Sequence, residues 1–231
     1  MLFLASCLVV AGLVLLGLGP LGTRIGLWGF TIGLPVVGLG ALVTMAGVLV
    51  AFGGGIRSRD WNQAGFALVV GLIAVAIPIA QVLKGRGAPS IHDISTDTQD
   101  PPLFQALLPL RTGRVSPAAY DGDATAAQQR ASYGDIESVL LPAAPGQAFA
   151  LSLRAARDLG WTIVDSDEAA GRIEATDTTY WFGFVDDVVI RVRAEGGVSR
   201  VDIRSKSRVG RGDLGANARR IRAFISRVNE S

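Results

Sequence analysis

Four side chains that could bind a ligand or take part in catalysis lie close together in one polar stretch, IHDISTDTQDPP, at residues 91–102. They are His92, the only histidine in the chain, and Asp93, Asp97 and Asp100. Nitrogen and oxygen donors of this kind suit a divalent metal ion or general acid–base chemistry. This stretch, which we call the strap, is the first candidate site.

The strap does not follow a common metal-binding pattern. It lacks the glycine and the closing glutamate of an EF-hand loop, and a single histidine cannot supply the histidine pair of a zinc protease. Aspartate, serine and threonine often bond to nearby backbone amides, and the Pro101-Pro102 pair favours an extended exit. We interpret the strap as a self-bonded polar connection and expect no metal and no cofactor. A ligand or partner site, and a hydrolase centre using His92 and the aspartates, remain alternatives.

A second candidate lies near the C-terminus, where residues 200–227 contain nine basic and two acidic side chains. Its glycine-rich part, RVGRGDLG, leads into a predicted helix, and amides at a helix N-terminus together with arginines suit a phosphate or carboxylate. The candidate anion-binding residues are Arg204, Lys206, Arg208, Arg211, Asp213 and Asn217. The alternative is a solvated face whose charges pair with acidic residues elsewhere. Aromatic residues do not alternate with these charges, so nucleic acid is not an expected partner.

The two candidates can form one structure. A buried carboxylate needs a charged or hydrogen-bonding partner. We therefore expect the strap aspartates to pair with arginines of residues 204–211 and so to close the domain.

The elements that position these residues fall into two regions of different hydropathy. Only six formal charges precede Pro89, whereas 17 basic and 19 acidic side chains follow it. Three uncharged apolar segments, at about 2–19, 25–52 and 62–83, are suited to cross a bilayer as helices. The sequence therefore predicts a membrane region at 1–87, with the lipid bilayer as its partner, and a soluble domain at 88–231.

Charge does not decide on which side of the membrane the soluble domain lies. Three spans place the termini on opposite sides, and cytoplasmic loops usually carry the excess of basic residues. Arg57 and Arg59 lie on the side of the N-terminus, whereas Arg24, Lys84 and Arg86 lie on the side of the domain. Within the second span, Gly29 and Gly33 have the spacing of a close helix–helix contact.

The pattern of the soluble domain predicts an α+β fold, in which two helices pack on one face of an antiparallel sheet. The predicted elements are a helix at 147–159, strands at 161–164, 172–178 and 180–185, a hairpin of strands 188–193 and 200–206, and a helix at 214–228. We expect Asp213 to cap the last helix and the aromatic residues 180–184 to lie in the core or on the sheet. The other sheet face carries alternating charge, which suits contact with water or a partner.

Two separated motifs resemble an uncharacterised bacterial and plastid family, the domain of unknown function 1499. The first is IHDISTD with the following DPPLF at 91–104, and the second is DIRSKSRVGRGDLGANARRI at 202–221. The resemblance covers roughly residues 89–228. It implies no established activity and no catalytic residues. Members often look membrane-bound or exported, which implies a bacterial inner-membrane protein whose domain lies outside the cytoplasm.

From these observations we expect a membrane-anchored module, not an enzyme, that binds or positions something at the cell envelope. The expected partner is an anionic small molecule, a lipid headgroup or an envelope protein. A hydrolase using the strap and a lipid-handling or sensor protein using the basic glycine loop are the alternatives.

Overall fold

The computed structural model describes residues 1–113 and 115–230, which form two compact units. The first contains Met1–Lys84 together with Tyr180–Gly183. The second contains the remaining described residues, from Gly85 onward.

The first unit consists mainly of three apolar helices, α1 (Leu2–Arg24), α2 (Phe30–Ser58) and α3 (Trp61–Lys84). All three have the length and composition needed to cross a membrane, as the hydropathy predicts. Helix α2 begins at Phe30, later than expected, because the chain turns at residues 25–29, where Gly26 has a φ of +75°. Such a backbone conformation is open to glycine at no steric cost.

Helices α1 and α2 approach each other along a seam of glycines. The seam residues recur at intervals of seven, with Gly12 and Gly19 on α1 and Gly33, Gly40 and Gly47 on α2. A Cβ atom at position 12 would lie 2.1 Å from Thr44 Oγ1 and 2.8 Å from the carbonyl oxygen of Gly40. Small residues at these places allow the two backbones to meet.

Of the expected Gly29 and Gly33 pair, only Gly33 takes part in this contact. Gly29 is the N-cap of α2, and a Cβ atom there would meet only Thr31. The contact follows the longer seven-residue spacing because this spacing keeps side chains on one face of a long helix.

The glycine seam gives the first prediction. The G12A substitution should destabilise the helical unit by about 1–3 kcal/mol, because the added methyl group meets backbone atoms that cannot move aside. G17A is the matched control on the same helix, since no atom of the described residues lies within 4 Å of a Cβ atom at that position. Thermal unfolding of the full chain in detergent measures the difference. Equal melting temperatures for the two variants would contradict the seam.

The second unit is built on a six-stranded antiparallel sheet in the order β1-β6-β5-β4-β3, with β2 pairing beside β1 on the same edge of β6. The strands are β1 (Asp93–Ser95), β2 (Val139–Leu141), β3 (Thr162–Asp167), β4 (Arg172–Thr178), β5 (Val185–Glu195) and β6 (Val198–Ser207). The predicted β5–β6 hairpin is present and turns at Gly196 and Gly197, which both have positive φ. The sheet confirms the expected α+β class.

Helix α4 (Asp123–Ser132) lies beside β1, where Gln129 hydrogen-bonds to the backbone of Ser95, and a 3₁₀ turn occupies Leu108–Leu110. Helices α5 (Pro145–Asp158) and α6 (Ala216–Asn229) cover one face of the sheet. Val188, Ile190 and Ile203 of the hairpin enter one apolar core with residues of α5 and α6. Trp161 stacks on Phe224 of α6 at 5.8 Å between ring centroids, which ties the start of β3 to this helix.

Three sequence expectations about residues 180–228 are wrong. Asp213 is not the N-cap of α6, which begins at Ala216 with Gly215 as the cap. No strand covers 180–185, because β4 ends at Thr178 and β5 begins at Val185. Tyr180 and Trp181 are exposed instead of lying in the core. Aromatic residues favour strands only where they can pack on a sheet.

Candidate functional site

The second sheet face carries charged side chains. Strand alternation sends the apolar residues of β6 towards the helices and its charged residues to the opposite side, next to those of β4 and β5. The members of this charged face are Arg172, Glu174, Asp187, Arg191, Arg193, Arg200, Asp202, Arg204, Lys206 and Arg208. The alternating pattern suggested that this face contacts water or a partner. The structure shows that several of its side chains are instead fully buried within the domain.

A long irregular segment covers part of the charged face. We call residues 103–113 and 115–121, which follow the strap, the cover segment. Its Phe104 and Leu107 pack against Val189 of β5 in a small apolar cluster of their own. The cover segment thus removes water from the centre of the sheet, and every charge beneath it then needs a partner.

Asp93 is the centre of the buried charges. It begins β1, directly opposite Lys206 on β6. Its carboxylate accepts two hydrogen bonds from Arg204, at 2.8 Å from Nε and 2.9 Å from Nη2, and a third from Lys206 Nζ at 3.1 Å. All three side chains are fully buried. The expected pairing of the strap with residues 204–211 is therefore present at Asp93.

The cover segment and the end of the strap complete the hydrogen bonds of these two cations. Arg204 donates to the carbonyl oxygens of Pro102 at 3.2 Å and Ala118 at 2.9 Å. Its guanidinium also lies 4.8 Å from the ring centroid of Phe104 and 5.4 Å from that of Tyr120. Planar arginine suits such a position because it combines forked donors with a flat face.

Lys206 likewise donates to the carbonyl oxygen of Ala119 at 2.7 Å and to Asp121 Oδ1 at 2.5 Å. The ionic centre therefore binds the cover segment onto the sheet.

Asp97 and Asp100 pair with a different set of arginines from the one expected. Both contact Arg191 and Arg193, and Asp97 also accepts a hydrogen bond from Arg200 at 2.9 Å. This second group is partly exposed, whereas the Asp93 group is buried.

The second group surrounds Asp202, a buried carboxylate on β6. Burial acts to raise the pKa of Asp202. Hydrogen bonds from Ser138, Arg191 and Arg200 outweigh it, so that the pKa lies below its ordinary value.

Glu174 is the residue that the sequence analysis missed. Its fully buried carboxylate accepts hydrogen bonds from the amides of Gln105 and Ala106 through Oε1 and of Leu107 through Oε2, at 2.9–3.0 Å. Arg172 lies 3.1 Å away on the same strand. A glutamate in a strand indicates only that one face of the strand is polar. The sequence could not predict its amide partners, because they lie almost 70 positions away in an irregular segment.

His92 lies beside the last residue of the cover segment. His92 Nε2 lies 3.6 Å from Asp121 Oδ2, while the His92 carbonyl oxygen accepts hydrogen bonds from Ser207 and Asn217. The buried Asn217 side chain also contacts Ser205 and so ties α6 to the β6 strand. Within the described residues, no group of three histidine, cysteine, aspartate or glutamate side chains is placed to hold a metal.

The basic C-terminal segment is largely neutralised by the chain itself. Of its nine basic residues, seven lie in ion pairs with acidic residues of the domain. Arg208, for example, holds the buried Asp187 together with Arg111 of the cover segment. Among the described residues, Arg211 and Arg219 have no ion pair, and both are exposed.

The first amides of α6 are also occupied. Asp213 accepts hydrogen bonds from the amide of Gly215 at 2.8 Å and from that of Asn217 at 2.6 Å. The aspartate that was expected to be an N-cap thus fills the place where an external anion would bind. The groups near the start of α6 that remain accessible to an external anion are the exposed Arg211 and Arg219.

These arginines lie beside the segment that follows α3. Gly85 packs against Leu214, since a Cβ atom at position 85 would lie 2.4 Å from Leu214 Cβ, and Gly212 packs against Ser90. Leu214 is 52% exposed and Arg86 is exposed. Arg219 joins the group because its guanidinium donates to the Leu214 carbonyl oxygen at 2.9 Å. We call Arg86, Arg211, Leu214 and Arg219 the junction patch.

Comparison with known families adds one result. A family model described as protein of unknown function (DUF1499) matches residues 93–228, more than half of the chain. The chain belongs to the DUF1499 family. The DUF1499 match begins at the first residue of β1 and ends within α6, so it includes the whole sheet and the cover segment. No curated protein matches the chain.

The ionic centre leads to a prediction about alkaline pH. Burial, with a further contribution from the charge of Asp93, raises the pKa of Tyr120 from 10.0 to about 12. Because the folded pKa exceeds the unfolded one, this phenol contributes stability below pH 10 that is lost as pH rises towards 12. The Tyr120 hydroxyl has no hydrogen-bond partner among the described residues, so Y120F should fold.

The measurement is the free energy of unfolding of the full chain between about pH 9 and pH 11.5, where the Tyr120 phenol ionises in the unfolded chain but stays largely protonated in the folded one. Wild type should lose stability more steeply than Y120F over this interval. Y180F, which changes an exposed tyrosine, is the control and should follow the wild type. Parallel curves for wild type and Y120F would show that Tyr120 is not held in this way.

Proposed function

We propose that this protein is a membrane-anchored module, not an enzyme, and that its soluble domain binds the headgroups of anionic lipids through the junction patch. The observation that carries the proposal is the exposed, unpaired state of Arg211 beside the exposed Leu214, in a domain that pairs most of its other basic residues internally. A charge left unpaired in such a domain is available to an outside anion.

Chain connectivity supports a lipid as the source of that anion. Gly85, against which Leu214 packs, comes directly after Lys84, the last residue of α3. If α3 crosses a bilayer, the residues that follow it lie at the depth of the headgroups. The loop that contacts Gly85 then lies near the same depth.

The residue types of the patch suit that depth. Basic residues at an anionic membrane surface contribute about 1 kcal/mol each. An apolar side chain among them can enter the boundary between headgroups and acyl chains. Arg86, Arg211 and Arg219 supply the charge, and Leu214 supplies the apolar side chain.

The strap has a structural role in this proposal. Its aspartates neutralise arginines of the sheet, and β6 then leads straight into the loop that carries Arg211. Bracing β6 therefore fixes the start of the loop. A bacterial inner membrane and a domain outside the cytoplasm remain predictions that rest on the family resemblance. The hydrolase alternative, which rests on His92 and the strap aspartates, also remains a prediction.

Lipid selectivity of the full chain tests the proposal. The wild type in neutral detergent should gain thermal stability from added phosphatidylglycerol and little from phosphatidylcholine, because only the former brings a net negative headgroup. The R86A/R211A variant should lose most of this selective gain. The matched control is R154A/R157A, which removes two exposed charges from α5.

The two variants separate specific binding from a general effect of charge. Equal loss of the phosphatidylglycerol effect in both variants, or no loss in R86A/R211A, would contradict the junction patch. An arm with soluble glycerol phosphate distinguishes a lipid from a free phosphate ligand, since the proposal expects no stabilisation there.

A further inference from the structure

The loop between β4 and β5 ends in a tight tip of four residues, Tyr180–Gly183. It is closed by a hydrogen bond from the Thr179 amide to the Phe184 carbonyl oxygen at 2.8 Å and by another from the Phe184 amide to Thr179 Oγ1 at 2.9 Å. Gly183 has a φ of +67°, which allows the chain to reverse. The tip is therefore a defined turn.

This turn presents two large aromatic side chains to its surroundings. Tyr180 is 81% exposed and Trp181 is 47% exposed. Their rings meet edge to face with centroids 5.5 Å apart. Aromatic residues of this size normally contribute to a core or to an interface. Their exposure in a well-formed turn indicates a partner that the protein alone does not supply.

The neighbours of the tip are the ends of two apolar helices. Within the first unit, Arg24 at the end of α1 donates from Nη1 to the Tyr180 carbonyl oxygen at 2.5 Å. Phe182 lies near Gly33 in the first turn of α2, since a Cβ atom there would be 3.3 Å from the Phe182 ring. The tip thus lies where one apolar helix ends and the next begins.

We propose that Tyr180 and Trp181 form a membrane-interface anchor. The ends of membrane-spanning helices lie at the headgroup level, and tyrosine and tryptophan concentrate there because they combine an apolar ring with a polar edge. The occupant of the exposed aromatic surface is then the boundary between headgroups and acyl chains. The β4–β5 loop is an anchor in addition to the three helices.

This inference shares only one premise with the proposed function, that the helices are inserted in a membrane. It requires neither anionic lipid nor the junction patch. An experiment in neutral lipid therefore tests the anchor alone.

The test measures the depth of position 181 in nanodiscs of phosphatidylcholine. Cys7 is the only cysteine, so C7S gives a thiol-free background. W181C carrying an environment-sensitive fluorophore should show blue-shifted emission and lose intensity when the lipids carry bromine on their upper acyl carbons. The control is A194C, an exposed position on β5 that lies nine residues, or about 30 Å along the strand, beyond Val185.

Intrinsic tryptophan fluorescence of the unlabelled protein controls for any disturbance that the label causes. The emission that W181F removes from the wild-type spectrum should be the bromine-quenched component. The anchor is overturned if the label at 181 is as solvated and as little quenched as the label at 194, or if the component lost in W181F is insensitive to bromine. Either result would leave the junction patch untouched.

Discussion

The buried contact of Asp93 with Arg204 and Lys206 is the constraint on which the architecture of the domain depends. Charges placed beneath the cover segment are stable only if each one is paired and its remaining hydrogen bonds are made. Asp93 provides one carboxylate for two cations, and the other hydrogen bonds are accepted by backbone carbonyls of the strap and the cover segment and by the Asp121 carboxylate. The first strand, the last strand and the irregular segment between them are thereby fixed together.

The same constraint determines what the domain can offer to a partner. A basic segment usually indicates a surface for anions, but here acidic residues of the domain neutralise most of it. Glu174 and Asp213 act similarly on backbone amides, one under the cover segment and one at the start of α6. The groups that remain for an outside partner include Arg211, which lies in the loop whose Gly212 and Leu214 pack against Ser90 and Gly85.

Sequence patterns predicted the helices and strands that are determined by residues close together in the sequence. The length of the apolar segments predicted three helices long enough to span a membrane, and alternation with a Gly-Gly turn predicted the β5–β6 hairpin. The pairing of Asp93 with Arg204 could be expected from two polar motifs in one domain. The Glu174 contacts could not, because they join a strand to an irregular segment that has no periodicity. The tip at Tyr180 was misread as a strand because β-propensity does not distinguish a sheet from an exposed turn.

The central claim is that the strap and the end of β6 act as one electrostatic unit through Asp93. A double-mutant cycle of D93N, K206M and the double variant, measured by unfolding of the full chain, tests it most directly. The account predicts strong coupling, in which the double variant loses at least about 1 kcal/mol less stability than the sum of the single losses. Additive losses would contradict it, because they would mean that Asp93 and Lys206 contribute to the fold independently.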